Sequence, residues 1–310
     1  MLKRFLLLMI GTVACSTAAI IIKLSVTHPL LLAGYRCLLA GVILSPLYIR
    51  DLKARRREYH IRHLGATFWP GIFLGLHFIS WIIGVRYTEP ENATLLVMMV
   101  PTTMPFFLWI MFRQKLKGAE WLGTVLSMGG VVLLTRADLQ LSVENFRGDL
   151  LSLLSLLLLT YYLILARVNQ KIPSIWLYVV PLYLIAGAFC LCGSFIMFFM
   201  AKASNSLSSF ITANPIQAYS MREAALFLAL ALIPTVIGHS IFNYSMQKLP
   251  SQLVAIVGSS QFIFTGVMAY YILKNDPPQL SFYIASVLVT GGVVIAIRAR
   301  DGQKDADSQK

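Results

Sequence analysis

Ten long apolar runs follow one another along this chain, and they constrain its fold more than any other feature. Each run is close to the roughly 20 residues that an α-helix needs to cross the hydrocarbon core of a bilayer. Of 310 residues, 57% are hydrophobic and only 13% are charged, about half the charged share of a soluble domain. We therefore predict an all-α, polytopic membrane protein with ten transmembrane helices. They lie near residues 5–24, 30–49, 65–85, 92–112, 119–135, 149–166, 174–200, 223–246, 251–273 and 280–298.

The formal net charge of +13 does not indicate a nucleic-acid partner. Lys and Arg lie in the short segments between the apolar runs, and they form no basic face along an amphipathic helix. The four cysteines all fall within apolar runs and lack the spacing of a metal site. We predict no nucleic-acid partner, no metal, no cofactor and no catalytic residue.

The distribution of basic residues predicts the orientation in the membrane. With a cytoplasmic N-terminus, 18 of the 26 Lys and Arg residues fall in cytoplasmic segments and seven fall outside, with Arg36 left inside a helix. This asymmetry follows the positive-inside rule, and an even number of helices then places both termini in the cytoplasm. The first apolar run has full spanning length, so we predict an uncleaved first helix rather than a signal peptide.

Two segments are predicted to lie outside the helices. Residues 201–222 are rich in Ser and Asn, so we expect a flexible outer loop. Residues 299–310 are strongly polar and are predicted to form a disordered cytoplasmic tail.

The two halves of the chain resemble each other. Gly129-Gly130-Val131-Val132 matches Gly291-Gly292-Val293-Val294, which follows 162 positions later. Five helices per half is an odd number, so the halves must have opposite orientations in the membrane. Inverted repeats are typical of secondary transporters, which hold their substrate near the bilayer midplane between the repeats. We predict one repeat over 5–135 and the other over 149–298.

Several motifs resemble those of the drug/metabolite transporter superfamily, in its ten-helix EamA branch, over about residues 5–298. They are Lys23 ending the first helix, Tyr35-Arg36, the segment 81–88, Pro101, the segment 234–238 and the segment 243–250. The chain departs from the family where Gln114 and Asn275 replace a common Glu, and where Gln261-Phe262 replaces a Glu-Pro pair. The resemblance implies a transporter, with amino acids as the leading class of substrate.

Seven residues at depth in the predicted helices are candidates for substrate binding. They are Arg36, His77, Trp81, His239, Asn243, Ser260 and Gln261. Ionisable residues within transmembrane helices are candidates by default, because a charge at the helix centre costs about 2.5–3.5 kcal/mol on insertion scales. Arg36 could bind a carboxylate or phosphate bidentately, or its side chain could extend to the membrane interface. Both alternatives are open at the level of sequence.

The two histidines lie 162 positions apart, which places them at equivalent points of the two repeats. Each could contact substrate or carry a proton, or could make a hydrogen bond between helices. All 13 Asp and Glu residues lie outside the predicted helices or at their ends. A carboxylate proton relay and a cationic substrate are therefore disfavoured, and the basic groups favour an anionic or zwitterionic one.

These features predict a secondary transporter, an exporter or exchanger, for small organic metabolites such as amino acids. We expect it to work in the inner membrane by alternating access, with the lipid bilayer and a small-molecule substrate as its partners. A membrane-embedded enzyme and a channel are the alternatives. An enzyme would require converging catalytic or metal-binding groups, and a channel would require rings of charges or carbonyls.

Overall fold

A computed structural model describes residues 2–113, 118–169, 172–204, 218–249, 254 and 257–308. Every regular element in this part of the chain is helical. A short helix, Ile61–Gly65, precedes the third main helix. The main helices are Leu2–Leu24 (α1), Pro29–Ala54 (α2), Phe68–Tyr87 (α3), Pro90–Val97 with Val100–Phe112 (α4), Gly118–Leu141 (α5), Val143–Val168 (α6), Ile175–Ser204 (α7), Met221–Leu230 with Ala231–His239 and Ser240–Lys248 (α8), Gln261–Met268 with Ala269–Leu273 (α9) and Leu280–Ser308 (α10).

These helices correspond in order to the ten predicted ones. Among the described residues, seven helical stretches are long and apolar enough to cross a membrane. Shorter apolar helices cover Trp121–Ala137, Val257–Leu273 and Leu280–Ile295, which are the fifth, ninth and tenth positions. The chain is therefore a multi-pass, ten-helix membrane protein.

The C-terminal helix α10 extends past the predicted membrane span. Residues 299–308 are described as its continuation, and 309–310 lie outside the described residues. Disorder of the tail stays a prediction. Most of the predicted outer loop, residues 205–217, also lies outside the described residues.

Prolines explain two irregular places in the helices. In α4 the helix stops at Val97 and resumes at Val100. Pro101 then occupies the first turn of the second segment, where its missing N–H is not needed. In α8 the middle segment, Ala231–His239, is π-helical and contains Pro234. Proline removes a backbone hydrogen bond in a helix interior, and π-helical turns are frequent at functional sites.

Close antiparallel pairs of helices, each with glycine at the contact, hold the bundle together. In α2 and α7 the relationship is reciprocal, because Gly34 lies against Leu191 and Gly187 lies against Leu38. Helices α5 and α10 show the same reciprocity at Gly130 and Gly292, which are the second glycines of the two matching Gly-Gly pairs. Small residues permit this close approach of helices in a membrane.

Two further close pairs follow the pattern of an inverted repeat. Gly84 of α3 lies against Ser152 of α6, and Gly238 of α8 lies against Cys15 of α1. Exchanging the two halves turns the first pair into the second, while the α2/α7 and α5/α10 pairs each map onto themselves. The main core of buried side chains lies where these pairs meet, and Arg36 is within it.

Candidate functional site

Arg36 lies seven residues into α2 and is completely buried. Its Nε donates a hydrogen bond to Thr235 Oγ1 of α8 at 3.1 Å, and its guanidinium carbon lies 3.9 Å from the ring centroid of Phe78 in α3. The side chain therefore does not extend to the membrane interface. Nη1 and Nη2 have no hydrogen-bond partner among the described residues, so a charged fork is left unpaired inside the bundle.

Other buried groups on helices that pack around α2 also lack partners in the part of the chain that the structure describes. They are Trp81 Nε1 of α3, Tyr178 Oη and Tyr183 Oη of α7, and Ser240 Oγ of α8. The Tyr183 and Ser240 hydroxyls are neighbours that form no hydrogen bond of normal geometry, and Tyr183 also interacts electrostatically with Arg36. Trp81 Nε1 and the Arg36 fork can only donate a hydrogen bond, whereas the three hydroxyls can donate or accept, so the region offers more donors than acceptors.

His77 makes a hydrogen bond between helices. Its Nδ1 lies 2.7 Å from Ser155 Oγ and 3.0 Å from the Ser155 carbonyl oxygen, which joins α3 to α6. One ring nitrogen is therefore engaged within the protein. The imidazole is also stacked with Trp81, with ring centroids 6.4 Å apart and an interplanar angle of 10°.

His239, on α8, makes an edge-to-face contact with the aromatic ring that Arg36 covers. The His239 and Phe78 ring centroids are 5.4 Å apart, with an interplanar angle of 88°. His77 also contacts Phe78, at 5.1 Å between centroids. The two histidines that sequence spacing places at equivalent points of the repeats therefore meet at one phenylalanine.

The structure brings four of the seven predicted residues into this region: Arg36, His77, Trp81 and His239. Asn243 lies further along α8, where its amide is already engaged. Its Oδ1 accepts from the Tyr162 hydroxyl at 3.2 Å, and its Nδ2 donates to the His239 carbonyl at 2.9 Å.

Ser260 and Gln261 lie at the start of the described part of α9. Ser260 Oγ donates to the Val257 carbonyl of its own helix at 2.6 Å, and Gln261 is buried. Their neighbour Ser259 donates to the Met98 carbonyl at the break in α4. This places the start of α9 against Met98 of α4.

Sequence reasoning missed Phe78, Thr235, Tyr183 and Ser240 as members of this region. Phe78 and Tyr183 look like ordinary core residues in sequence. Thr235 follows Pro234 in a motif that resembles the family, which is the only signal that singles it out. The unpaired donors become visible only when helices from both halves are packed together.

Among the described residues three carboxylates are buried, and they lie at helix ends away from Arg36. Glu223 accepts from Ser25 and Thr27, and Asp149 accepts from Thr88 Oγ1 at 2.9 Å. Glu91 lies in the first turn of α4. No salt bridge joins Arg36 to a carboxylate in the described ranges, and no group of three or more potential metal ligands occurs there.

An apolar groove in the described part of the molecule lies elsewhere. It has a volume of about 1050 Å³ and is bounded by apolar and aromatic side chains of α9 and α10, including Tyr270, Tyr271 and Tyr283. These tyrosines are exposed on the outer surface of the bundle. None of the seven predicted site residues lines this groove, so it is separate from the region around Arg36.

Comparisons with known proteins agree with this architecture. The model of the EamA-like transporter family matches residues 2–136 and 146–298. A relative from Archaeoglobus fulgidus, described as an uncharacterized transporter, is 26% identical over 300 residues, which cover 94% of this chain and 96% of that protein. One solved crystal structure matches with a TM-score of 0.63 over 95% of this chain and 96% of its own, at 16% sequence identity. Similarity at that identity shows a shared fold.

Proposed function

The chain belongs to the EamA-like transporter family and is a membrane transporter, and on that premise we propose that its substrate is a small organic metabolite with an anionic or zwitterionic group. Amino acids are the leading class, through the likeness to the family. We place it in the inner membrane with both termini in the cytoplasm, as an exporter or exchanger.

The unpaired fork of Arg36 is the observation that carries this proposal. An ionised side chain inside a membrane bundle is costly, and such residues normally pair or mark a substrate pathway. The Nη atoms of a guanidinium form a planar fork that matches a carboxylate or phosphate bidentately. With no acid beside Arg36 among the described residues, an anionic substrate would supply the missing partner.

The neighbouring donors support an oxygen-rich substrate group. Trp81 Nε1 and the Ser240 and Tyr183 hydroxyls can each donate to oxygen atoms that the Arg36 fork does not reach. The ammonium group of a zwitterion would find no described carboxylate here. Aromatic faces, of which Trp81 offers one, can bind such a cation.

The position of the site between the two halves fits alternating access. Arg36 and Phe78 belong to the first half, and Thr235 and His239 belong to the second. In inverted-repeat transporters, rocking one repeat against the other exposes such a site to each side of the membrane in turn.

Uptake into liposomes containing the purified protein tests the proposal. We expect saturable accumulation of an amino acid or small carboxylate. Arg36→Lys keeps the charge but loses the fork, so it should raise the apparent KM about tenfold, and Arg36→Gln should weaken transport further.

Arg62→Gln is the matched control, because Arg62 is exposed before α3. Unchanged KM in both Arg36 variants would contradict an anionic substrate. Chemical conversion of the solute would indicate an enzyme, and non-saturating flux a channel.

A further inference from the structure

Thr235 is buried in the π-helical segment of α8, and its hydroxyl makes two hydrogen bonds of opposite sense. It donates to the Leu230 carbonyl at 2.8 Å, and it accepts from Arg36 Nε at 3.1 Å. Pro234 has no N–H to give to Leu230, four residues before it, and the Thr235 hydroxyl donates to that same carbonyl. Because its single hydrogen is used there, Thr235 Oγ1 can only accept from Arg36.

Two contacts from different helices therefore fix the plane of the Arg36 guanidinium. Thr235 holds the Nε–H edge, and the Phe78 ring covers one face at 3.9 Å. The four N–H groups on Nη1 and Nη2 have no partner among the described residues. A bidentate pair with a carboxylate requires those groups to have a defined direction.

We propose that Thr235 is the positioning residue that aims the Arg36 fork at the anionic group of the substrate. This inference rests on the proposed function, and it adds a coupling between binding and movement. Arg36 and Phe78 lie in the first repeat and Thr235 in the second. The hydrogen bond from Arg36 Nε to Thr235 Oγ1 therefore persists only in conformations in which α2 and α8 keep this position relative to each other. When the repeats rock apart, the fork loses its fixed direction and the anion is held less tightly.

The side-chain signal of Arg36 tests the contact without any ligand. In protein labelled with ¹⁵N-arginine, Arg36→Lys identifies the Arg36 Nε–H resonance by its disappearance. We expect that resonance to exchange slowly with water in the wild type and Thr235→Ser, and at least tenfold faster in Thr235→Val. Thr12→Val is the matched control, because Thr12 is buried and its hydroxyl donates only to Leu8 of its own helix at 2.9 Å. An unchanged Arg36 resonance in Thr235→Val would overturn the proposal.

Binding measurements separate positioning from a general effect on packing. The probe is the amino acid that gives the largest thermal stabilisation, compared with its methyl ester, which lacks the anionic charge. Thr235→Val should weaken binding of the acid about tenfold and leave the ester within twofold, and Thr235→Ser should restore the wild-type affinity. In an Arg36→Lys background, Thr235→Val should add less than twofold, because lysine has no Nε–H to position.

The outcomes distinguish failure of this inference from failure of the proposed function. If Arg36→Lys binds the acid as the wild type does, the anionic-substrate proposal fails. If Arg36→Lys weakens binding but Thr235→Val does not, only the positioning role fails. A loss in Thr235→Val that persists undiminished in the Arg36→Lys background would likewise assign Thr235 to packing alone.

Discussion

The Glu223 carboxylate, in the first turn of α8, accepts a hydrogen bond of 2.6 Å from the hydroxyl of Ser25, which lies between α1 and α2. It also accepts from Thr27 Oγ1 at 2.6 Å and from the Val26 backbone N–H at 3.2 Å. Arg86, at the end of α3, donates to the Ser25 and Thr27 carbonyls. One carboxylate of the second repeat thus holds a connection of the first repeat, at one end of the bundle.

Glu223→Gln should destabilise the protein. The amide keeps one acceptor oxygen but turns an N–H₂ group toward the donors of Ser25, Val26 and Thr27. Hydrogen bonds to a charged acceptor contribute about 1.5–3 kcal/mol, so we expect a loss of that order in the free energy of unfolding. A thermal melt in detergent measures it.

The control for this prediction is Glu58→Gln. Glu58 is exposed and pairs only loosely with Arg55, at 3.8 Å, so its substitution should leave the melting temperature unchanged. Equal melting temperatures for Glu223→Gln and Glu58→Gln would mean that the connection between α1 and α2 does not depend on Glu223.

The paired glycines of α5 and α10 should respond very differently to alanine. A Cβ on Gly292 would collide with the backbone of Gly123 and Ser127, whereas a Cβ on Gly129 would meet nothing within 4 Å. Overpacking costs about 1–3 kcal/mol, so Gly292→Ala should lower stability by at least that much. Gly129→Ala should be neutral or stabilising by up to about 1 kcal/mol, since alanine favours helix. Similar melting temperatures for the two variants would contradict the close α5/α10 contact.

The sequence predicts the number and order of helices well because bilayer thickness sets the length of each apolar run. The matching Gly-Gly pairs indicate the repeat, but the reciprocal α5/α10 contact that they form becomes visible only in the structure. The sequence also singles out Arg36 as a charge at depth with no acid in the predicted helices, and it leaves open whether the side chain is buried or extends to the interface. Periodicity does not say which helix faces which, so the contacts of Arg36 with Phe78 and Thr235 could not be predicted.

Asn243 shows that the sequence also does not tell which polar residues at depth are already engaged in hydrogen bonds within the protein. A polar residue at depth is a reasonable candidate for substrate binding, but packing shows its amide joining Tyr162 to the His239 carbonyl. The π-helical turn of α8 could not be predicted from the sequence either, because Pro234 signals an irregularity in the helix without defining its geometry.

Asn243→Leu should lower stability with little effect on the apparent KM. The substitution leaves the buried Tyr162 hydroxyl without its acceptor, which costs about 1–3 kcal/mol. Combining it with Tyr162→Phe should recover part of that loss, because the orphaned hydroxyl is then removed. Melting curves and transport assays of both single variants and the double variant measure this. A tenfold rise in the apparent KM of Asn243→Leu would instead indicate that Asn243 contacts the substrate.

Single cysteines should report the orientation in the membrane. In a variant with the four native cysteines replaced, Val26→Cys lies on the connection between α1 and α2, and Arg56→Cys follows α2; both positions are exposed. The excess of Lys and Arg on one side predicts that an impermeant maleimide labels intact cells at position 26 only. Labelling at both positions after lysis shows that each thiol is reactive. Labelling of intact cells at position 56 alone would show that the orientation is the opposite of the predicted one.

Arg36→Met should make the ligand-free protein more stable while abolishing transport of an anionic substrate. A buried Arg costs about 2.5–3.5 kcal/mol on insertion scales, and the Thr235 bond and the Phe78 contact offset only part of that cost. Methionine fills similar space and packs well on an aromatic ring, so we expect a gain of roughly 1–2 kcal/mol in the free energy of unfolding. Arg86→Met is the contrasting variant, because Arg86 donates to two carbonyls and its loss should destabilise. A residue whose removal stabilises the fold and stops transport is retained for its substrate. If Arg36→Met instead melts lower than the wild type without ligand, Arg36 holds the helices together, and its unpaired fork is no longer evidence for an anionic substrate.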